Sequence, residues 1–156
     1  MALISAADQE RLRESFAGLV RPVRLLFFTQ TLDCETCLQT RQILDELPPL
    51  SDKITIEEVN FVLDADRARE YGIDRVPAVA VAYEDVRGIL GGSAAPGGIK
   101  DSRIRFLGRP AGYEFISLVQ AILLVGGLES ILSADNRARV AAVAQPIRIQ
   151  VFTTPS

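Results

Sequence analysis

Histidine is absent from the 156 residues of this chain, and only two cysteines occur. The lack of histidine removes the usual general base and the commonest zinc ligand. It also excludes the Ser/His and Cys/His pairs that activate a nucleophile. Any covalent chemistry must therefore use cysteine, carboxylates or the backbone.

Positive charge is scarce as well. The net charge is −3, and the lysines are limited to Lys53 and Lys100 among scattered arginines. We expect no nucleic-acid partner, because phosphate contacts need clustered Lys and Arg. No apolar run has the length of a membrane span, and the N-terminus lacks a signal-peptide pattern. We therefore expect no membrane contact and a cytoplasmic location. Thiols are kept reduced there, so two cysteines indicate catalysis or metal binding rather than a structural disulfide.

Apolar periodicity predicts an α/β domain. Helices are expected over residues 5–19, 64–71, 112–125 and 133–144, and a further helix after the cysteines runs up to Pro48-Pro49. Strands are expected over 23–28, 54–61, 76–82 and 103–107. A glycine-rich connection is expected over 84–102. This order predicts a four-stranded mixed sheet flanked by helices, with an extra helix at the N-terminus.

The C-terminal residues repeat an earlier pattern. Ile147 to Phe152 resembles Val23 to Phe28, and each segment is followed by threonine. Such repetition predicts the first strand of a second copy of the same unit. We therefore expect one domain over 1–144, followed by a linker and the stub of an incomplete second unit over 145–156.

The two cysteines, Cys34 and Cys37, lie three positions apart between a buried strand and a helix. Random placement would give this spacing in about one case in 80, so the spacing is informative. At the start of a helix, unpaired N–H groups stabilise the thiolate of Cys34, which is the nucleophile toward a disulfide. Cys37 is then placed to resolve the mixed disulfide. The alternatives are a non-catalytic pair, or half of a cysteine-ligated metal site shared by two chains.

A second signal is Val76-Pro77 at the start of a strand. Proline is tolerated there without any function, since the first residue of a strand can lack its N–H. Together with an upstream Cys-x-x-Cys, it predicts a cis-proline loop beside the dithiol. Such a loop leaves the Val76 backbone free to pair with an extended substrate.

Three segments carry a family resemblance: Cys34-Glu-Thr-Cys37, Tyr71-Gly-Ile-Asp-Arg-Val-Pro77 and Gly108-Arg-Pro-Ala-Gly-Tyr-Glu-Phe115. Together they resemble the N-terminal half of the protein disulfide oxidoreductases, glutaredoxin-like proteins built of two tandem thioredoxin-fold units. The resemblance implies a thioredoxin-like fold and thiol–disulfide exchange on protein disulfides. It also implies no bound cofactor, and recycling by an NADPH-dependent, thioredoxin-reductase-like flavoprotein.

The chain departs from the family at the second unit, whose Cys-x-x-Cys is absent. We expect a truncated product, an incomplete gene or a cut piece. Thioredoxins carry an aromatic residue before the first cysteine and a buried acid on the preceding strand, where this chain has Asp33 and Phe28. Asp33 and Glu35 flank Cys34, and like charges disfavour its thiolate. We therefore predict a reducing pair. The simpler interpretation is that both carboxylates are solvated and shift the potential little.

The sequence thus predicts a thiol–disulfide oxidoreductase acting on proteins, with Cys34 as nucleophile and Cys37 as resolving thiol. The alternatives are a thioredoxin-fold binding or scaffold module without catalysis, and cysteine-ligated metal binding across a dimer. No metal site within one chain is expected. Substrate identity, redox direction and reductant do not follow from the residues.

Overall fold

Four strands form one mixed sheet at the centre of the computed structural model, which describes residues 3–85 and 98–153. The helices are α1 (Ala6–Ala17), α2 (Cys37–Asp45), α3 (Ala65–Glu70), α4 (Tyr113–Val125) and α5 (Ala134–Ala141), with a 3₁₀ turn at Pro48–Leu50. The strands are β1 (Val23–Thr29), β2 (Ile54–Asn60), β3 (Ala78–Glu84) and β4 (Ile99–Leu107).

The strand order in the sheet is β2-β1-β3-β4. β1 runs parallel to β2 and antiparallel to β3, and β4 pairs antiparallel with β3. β1 is therefore a central strand, as its nearly continuous apolar sequence predicts. The predicted α/β class and the four-stranded mixed sheet flanked by helices are confirmed.

Side chains of β1 alternate between two cores. Leu25 and Phe27 belong to a large cluster that also contains residues of α1, α2 and α4. Leu26 and Phe28 belong to a smaller cluster on the opposite face, where α3 and the residues after it provide the cover. The side chains that β3 contributes to the small cluster are all alanines: Ala78, Ala80 and Ala82.

The extra N-terminal helix begins with a serine cap. The Ser5 hydroxyl accepts a hydrogen bond from the Asp8 backbone N–H at 3.2 Å. Phe16, on the buried side of α1, is 1% exposed. A serine cap of this kind stabilises a helix by about 1 kcal/mol.

Strand β4 begins earlier than the sequence predicts. Its ladder with β3 starts at Ile99, and a bulge between Val81 and Ala82 shifts the register. Arg103, opposite this irregularity, has a φ of 65°, which breaks the alternation of side chains between the two faces. The pattern is regular only after the bulge, which explains why the prediction began at Arg103. Of the predicted glycine-rich connection, residues 86–97 lie outside the described residues.

The C-terminal part of the described chain is exposed throughout, from residue 131 to residue 153. α5 buries no side chain, and residues 142–153 form neither helix nor strand. The predicted strand over Ile147 to Phe152 is therefore wrong for this structure, because no neighbouring strand pairs with this segment among the described residues. The division into a domain and the stub of a second unit stays a prediction.

Within the described ranges, every helix is too short or too polar to cross a membrane.

Candidate functional site

The register of the sheet brings two loops to the same end of the sheet. Phe28, near the end of β1, pairs with Ala78, the first residue of β3. The loop that follows β1 carries Cys34, and the residue that precedes Ala78 is Pro77. The dithiol and the proline loop therefore lie at the same end of the sheet.

Cys34 and Cys37 form a disulfide at the start of α2, with their Cα atoms 5.5 Å apart. Cys37 is only 6% exposed, whereas Cys34 is half-buried. Solvent and a partner molecule therefore reach Cys34 more easily than Cys37. The pair combines one accessible sulfur with one shielded sulfur.

The first turn of α2 leaves its backbone donors available. Its N-cap, Thr36, makes no side-chain cap, and the turn carries no acidic residue. Unpaired N–H groups and the helix dipole stabilise a negative charge at this end, which favours a cysteine thiolate there. The buried Thr40 hydroxyl donates to the Thr36 carbonyl at 2.9 Å and so fixes the turn.

The Val76-Pro77 peptide bond is cis, as predicted from the sequence. Pro77 is buried and Val76 is half-buried. The Pro77 carbonyl accepts a hydrogen bond from the Gly108 N–H at 2.8 Å. This bond joins the proline loop to the loop that connects β4 and α4.

The two predicted tuning residues, Asp33 and Glu35, are both exposed on either side of Cys34. Asp33 has a φ of 55°, a conformation that aspartate tolerates better than most residues. The buried position six residues before Cys34 is held by Phe28, whose ring lies 5.9 Å from that of Tyr71. Burial raises the pKa of Tyr71.

A charged cluster that sequence reasoning missed lies on the face of the sheet covered by α3. Arg24 bonds to Glu57 at 3.1 Å and to Glu84 at 2.8 Å, and Arg67 also pairs with Glu57. Burial raises the pKa of Glu57, but the hydrogen bonds from Arg67 and Arg24 outweigh it and hold the pKa below its usual value. The available signal was Arg24, the one charge inside the apolar run of β1.

This cluster is not part of the dithiol site. Glu57 lies three residues before Asn60, the end of β2, which corresponds to about 10 Å along a strand. The cluster pairs charges above the alanines of β3, although the buried Nε of Arg24 has no hydrogen-bond partner in the described part of the chain. Among residues 3–85 and 98–153, no group of three or more Cys, Asp or Glu side chains could hold a metal ion.

No protein-family model matches the chain. A probable thioredoxin from Methanothermobacter marburgensis is 30% identical over 76 residues, which are 48% of this chain and 82% of that relative. The chain belongs to the thioredoxin family. A probable thioredoxin from Methanothermobacter thermautotrophicus is 35% identical over 49 residues, 31% of this chain and 58% of that relative.

Solved structures of longer proteins cover more of this thioredoxin-family chain. The N-terminal domain of the alkylhydroperoxide reductase AhpF from Enterococcus faecalis matches 91% of it, at 28% identity and a TM-score of 0.74. A protein disulfide oxidoreductase from Aeropyrum pernix matches 88%, at 25% identity and a TM-score of 0.65. The chain spans only 62% and 54% of these two proteins.

These likenesses confirm the predicted resemblance to the protein disulfide oxidoreductases and the thioredoxin-like fold. They also support the predicted thiol–disulfide oxidoreductase function, because the thioredoxin-family chain keeps the Cys-x-x-Cys pair at the start of α2.

Proposed function

We propose that this protein is a thiol–disulfide oxidoreductase that reduces disulfides of other proteins, with Cys34 as the nucleophile and Cys37 as the resolving thiol. The observation that carries the proposal is the disulfide at the start of α2, with Cys34 accessible and Cys37 6% exposed. An attacking sulfur has to reach its substrate, whereas a resolving sulfur has to reach only its neighbour.

In the reduced protein, the Cys34 thiolate attacks one sulfur of a substrate disulfide. The substrate S–S bond breaks, and the departing thiolate takes up a proton. Cys37 then loses its proton and attacks the Cys34 sulfur, so the mixed disulfide breaks and the second substrate thiolate leaves. Two electrons have passed to the substrate, and the protein is left with the Cys34–Cys37 disulfide.

The proline loop is the proposed substrate contact. Val76 and Pro77 lie at the end of the sheet that carries the dithiol, and Val76 is only half-buried. We infer that an extended substrate segment pairs with the Val76 backbone while its cysteine meets Cys34.

Each reduction cycle needs two electrons from outside. We propose that an NADPH-dependent flavoprotein of the thioredoxin-reductase type supplies them. The likeness to the N-terminal domain of an alkylhydroperoxide reductase supports a link to a reductase system. The cytoplasmic location stays a prediction.

Trapping of the mixed disulfide tests these roles. The Cys37→Ser variant lacks the resolving thiol, so after attacking an insulin disulfide it should accumulate a mixed disulfide between Cys34 and an insulin chain. The complex is measured by non-reducing electrophoresis and by mass spectrometry of the linked peptide. The wild type should pass through the same complex without accumulating it.

The Cys34→Ser variant is the matched control, since it keeps one thiol three residues away. It should trap no complex and reduce insulin at the rate of the uncatalysed reaction. Trapping through Cys37 would reverse the assignment of roles. Equal insulin reduction by the wild type and both variants would refute the enzymatic function and favour a binding module.

A further inference from the structure

An open cavity of about 450 Å³ lies along one side of α2. Its apolar lining comes from Leu3, Ile4, Ile43, Pro110 and Phe115, which belong to three separate parts of the chain. The volume lies in the range of ligand pockets, roughly 300–1,000 Å³. A cavity of this size and polarity accommodates an apolar side chain of a partner.

Hydrogen bonds fix two walls of this cavity. The backbone N–H groups of Leu3 and Ile4 donate to the Glu46 carboxylate at the end of α2, at 2.9 Å for Ile4. On the other side, the bond from the Gly108 N–H to the Pro77 carbonyl fastens the loop before α4 to the proline loop. The cavity is therefore held on both sides, and one of its walls is bonded to the loop of the proposed substrate contact.

A positive charge lies at the rim. Arg109 is exposed and lines the cavity, where its Nη1 donates to the Gln39 side-chain oxygen at 3.5 Å. No carboxylate in the described ranges forms an ion pair with Arg109. The rim thus complements an acidic group on whatever enters the cavity.

The distance from the dithiol can be worked out along α2. Gln39 and Ile43 lie two and six residues beyond Cys37, about 3 Å and 9 Å along the helix axis. The Cα atom of Cys37 is 5.5 Å from that of Cys34. Together these steps place Gln39 and Ile43 about 9–15 Å from Cys34 along this path. At about 3.3 Å per residue, an extended segment covers that path in about three or four residues.

We propose that this cavity binds an apolar side chain of the protein substrate, about three or four residues from the cysteine attacked by Cys34, with an adjacent acidic residue facing Arg109. The inference rests on the proposed function and adds a substrate preference to it. An isolated disulfide with small, uncharged flanking residues reacts more slowly because it leaves the cavity empty.

A panel of short peptides tests the preference. Each peptide carries one cysteine joined to thionitrobenzoate, a good leaving group, so Cys34 attacks the peptide sulfur and releases a coloured thiol. Leucine or serine is placed at each position from one to six residues on either side, with glutamate or lysine next to it. For each protein variant, the relative rate is the rate constant with the peptide divided by the rate constant with a small aromatic disulfide.

The expected result is an about tenfold higher relative rate for leucine than for serine at the third or fourth position on one side. Ala111→Phe, which fills the cavity, should bring this ratio close to one. The wild type should also react faster when glutamate rather than lysine lies next to the leucine, and Arg109→Glu should reverse this preference. Arg13→Glu, an exposed arginine on α1, is the control and should behave as the wild type.

A leucine-to-serine ratio near one at every position, or a ratio that Ala111→Phe leaves unchanged, would overturn the proposal. A second measurement does not depend on turnover. The leucine peptide with serine in place of cysteine should shift the NMR signals of Ile43 and Phe115, and the serine peptide should not. Shifts without turnover of any disulfide would refute the proposed function but keep the cavity, whereas turnover without shifts refutes the cavity alone.

Discussion

Replacement of Gly126 by alanine should destabilise the protein, because the end of α4 packs directly against the chain entering β1. A Cβ atom on Gly126 would lie 2.1 Å from Leu19 Cδ2 and 3.3 Å from Val23 Cγ2. Leu19 would have to move by about 1.4 Å to regain a normal carbon–carbon separation of about 3.5 Å. Leu19 is 2% exposed and Val23 is fully buried, so neither has free space.

The backbone cannot easily move away either. The Gly126 carbonyl accepts hydrogen bonds from the N–H groups of Val20 at 2.8 Å and Arg21 at 3.1 Å. The Arg21 Nε atom donates to the Val125 carbonyl at 2.6 Å. These bonds hold the two segments at their present separation. Overpacking of this kind costs about 1–3 kcal/mol of unfolding free energy.

Gly18 offers a matched control, since it ends α1 as Gly126 ends α4. Their backbone angles are nearly identical, with φ and ψ of −78° and −5° at Gly18, and −72° and −2° at Gly126. A Cβ atom on Gly18 meets nothing closer than 3.6 Å. Gly18→Ala should therefore be neutral, or stabilise by about 0.4–1 kcal/mol through the unfolded state.

Urea unfolding of the oxidised proteins, followed by circular dichroism, measures the difference. The two substitutions change the unfolded chain equally, so the gap between the two variants isolates the contacts of the new Cβ atom at Gly126, which are with Leu19, Val23 and the Ile122 carbonyl. We expect Gly126→Ala to be less stable than Gly18→Ala by about 2 kcal/mol. Stabilities equal within about 0.5 kcal/mol would refute this description of the packing.

Two further predictions concern carboxylates. Glu57→Gln should lower the unfolding free energy at pH 7 by about 1 kcal/mol, and exposed Glu58→Gln by less. Folding lowers the pKa of Glu57, so the stability that its carboxylate contributes is complete above pH 4.5 and disappears as the pH falls through the pKa of the folded state. Urea titrations in which the wild type and Glu57→Gln still differ in unfolding free energy at acid pH would contradict this. Asp33→Asn with Glu35→Gln should raise the reduction potential on the order of 10–20 mV by glutathione titration, because a stabilised Cys34 thiolate favours the reduced form; an unchanged potential would support solvated carboxylates.

Much of the fold follows from local patterns. The buried run of β1 and the cap at Ser5 are recognisable because each depends on residues close together in the sequence. The Cys-x-x-Cys is visible for the same reason. The place of the proline loop beside the dithiol depends on one long-range feature, the pairing of β1 with β3 in the sheet.

The features that the sequence does not reveal are those that depend on distant partners. Arg24 looks like an interruption in an apolar run, yet it is held by Glu57 and Glu84, which are 33 and 60 residues away. The cavity beside α2 likewise joins Leu3 to Phe115. Neither arrangement leaves a periodic signal, because the contacts form only after the elements have packed.

The segment from Ile147 to Phe152 shows the opposite limit of sequence patterns. Ile147, Ile149 and Val151 alternate as in a strand, but they are 67%, 83% and 81% exposed. Alternation indicates a preference for the extended backbone. A strand also requires a neighbouring strand whose backbone pairs with its N–H and C=O groups. In β1 the neighbours β2 and β3 provide both edges, so the same kind of pattern becomes the centre of the sheet. The difference between the two segments therefore lies in the partner rather than in the residues.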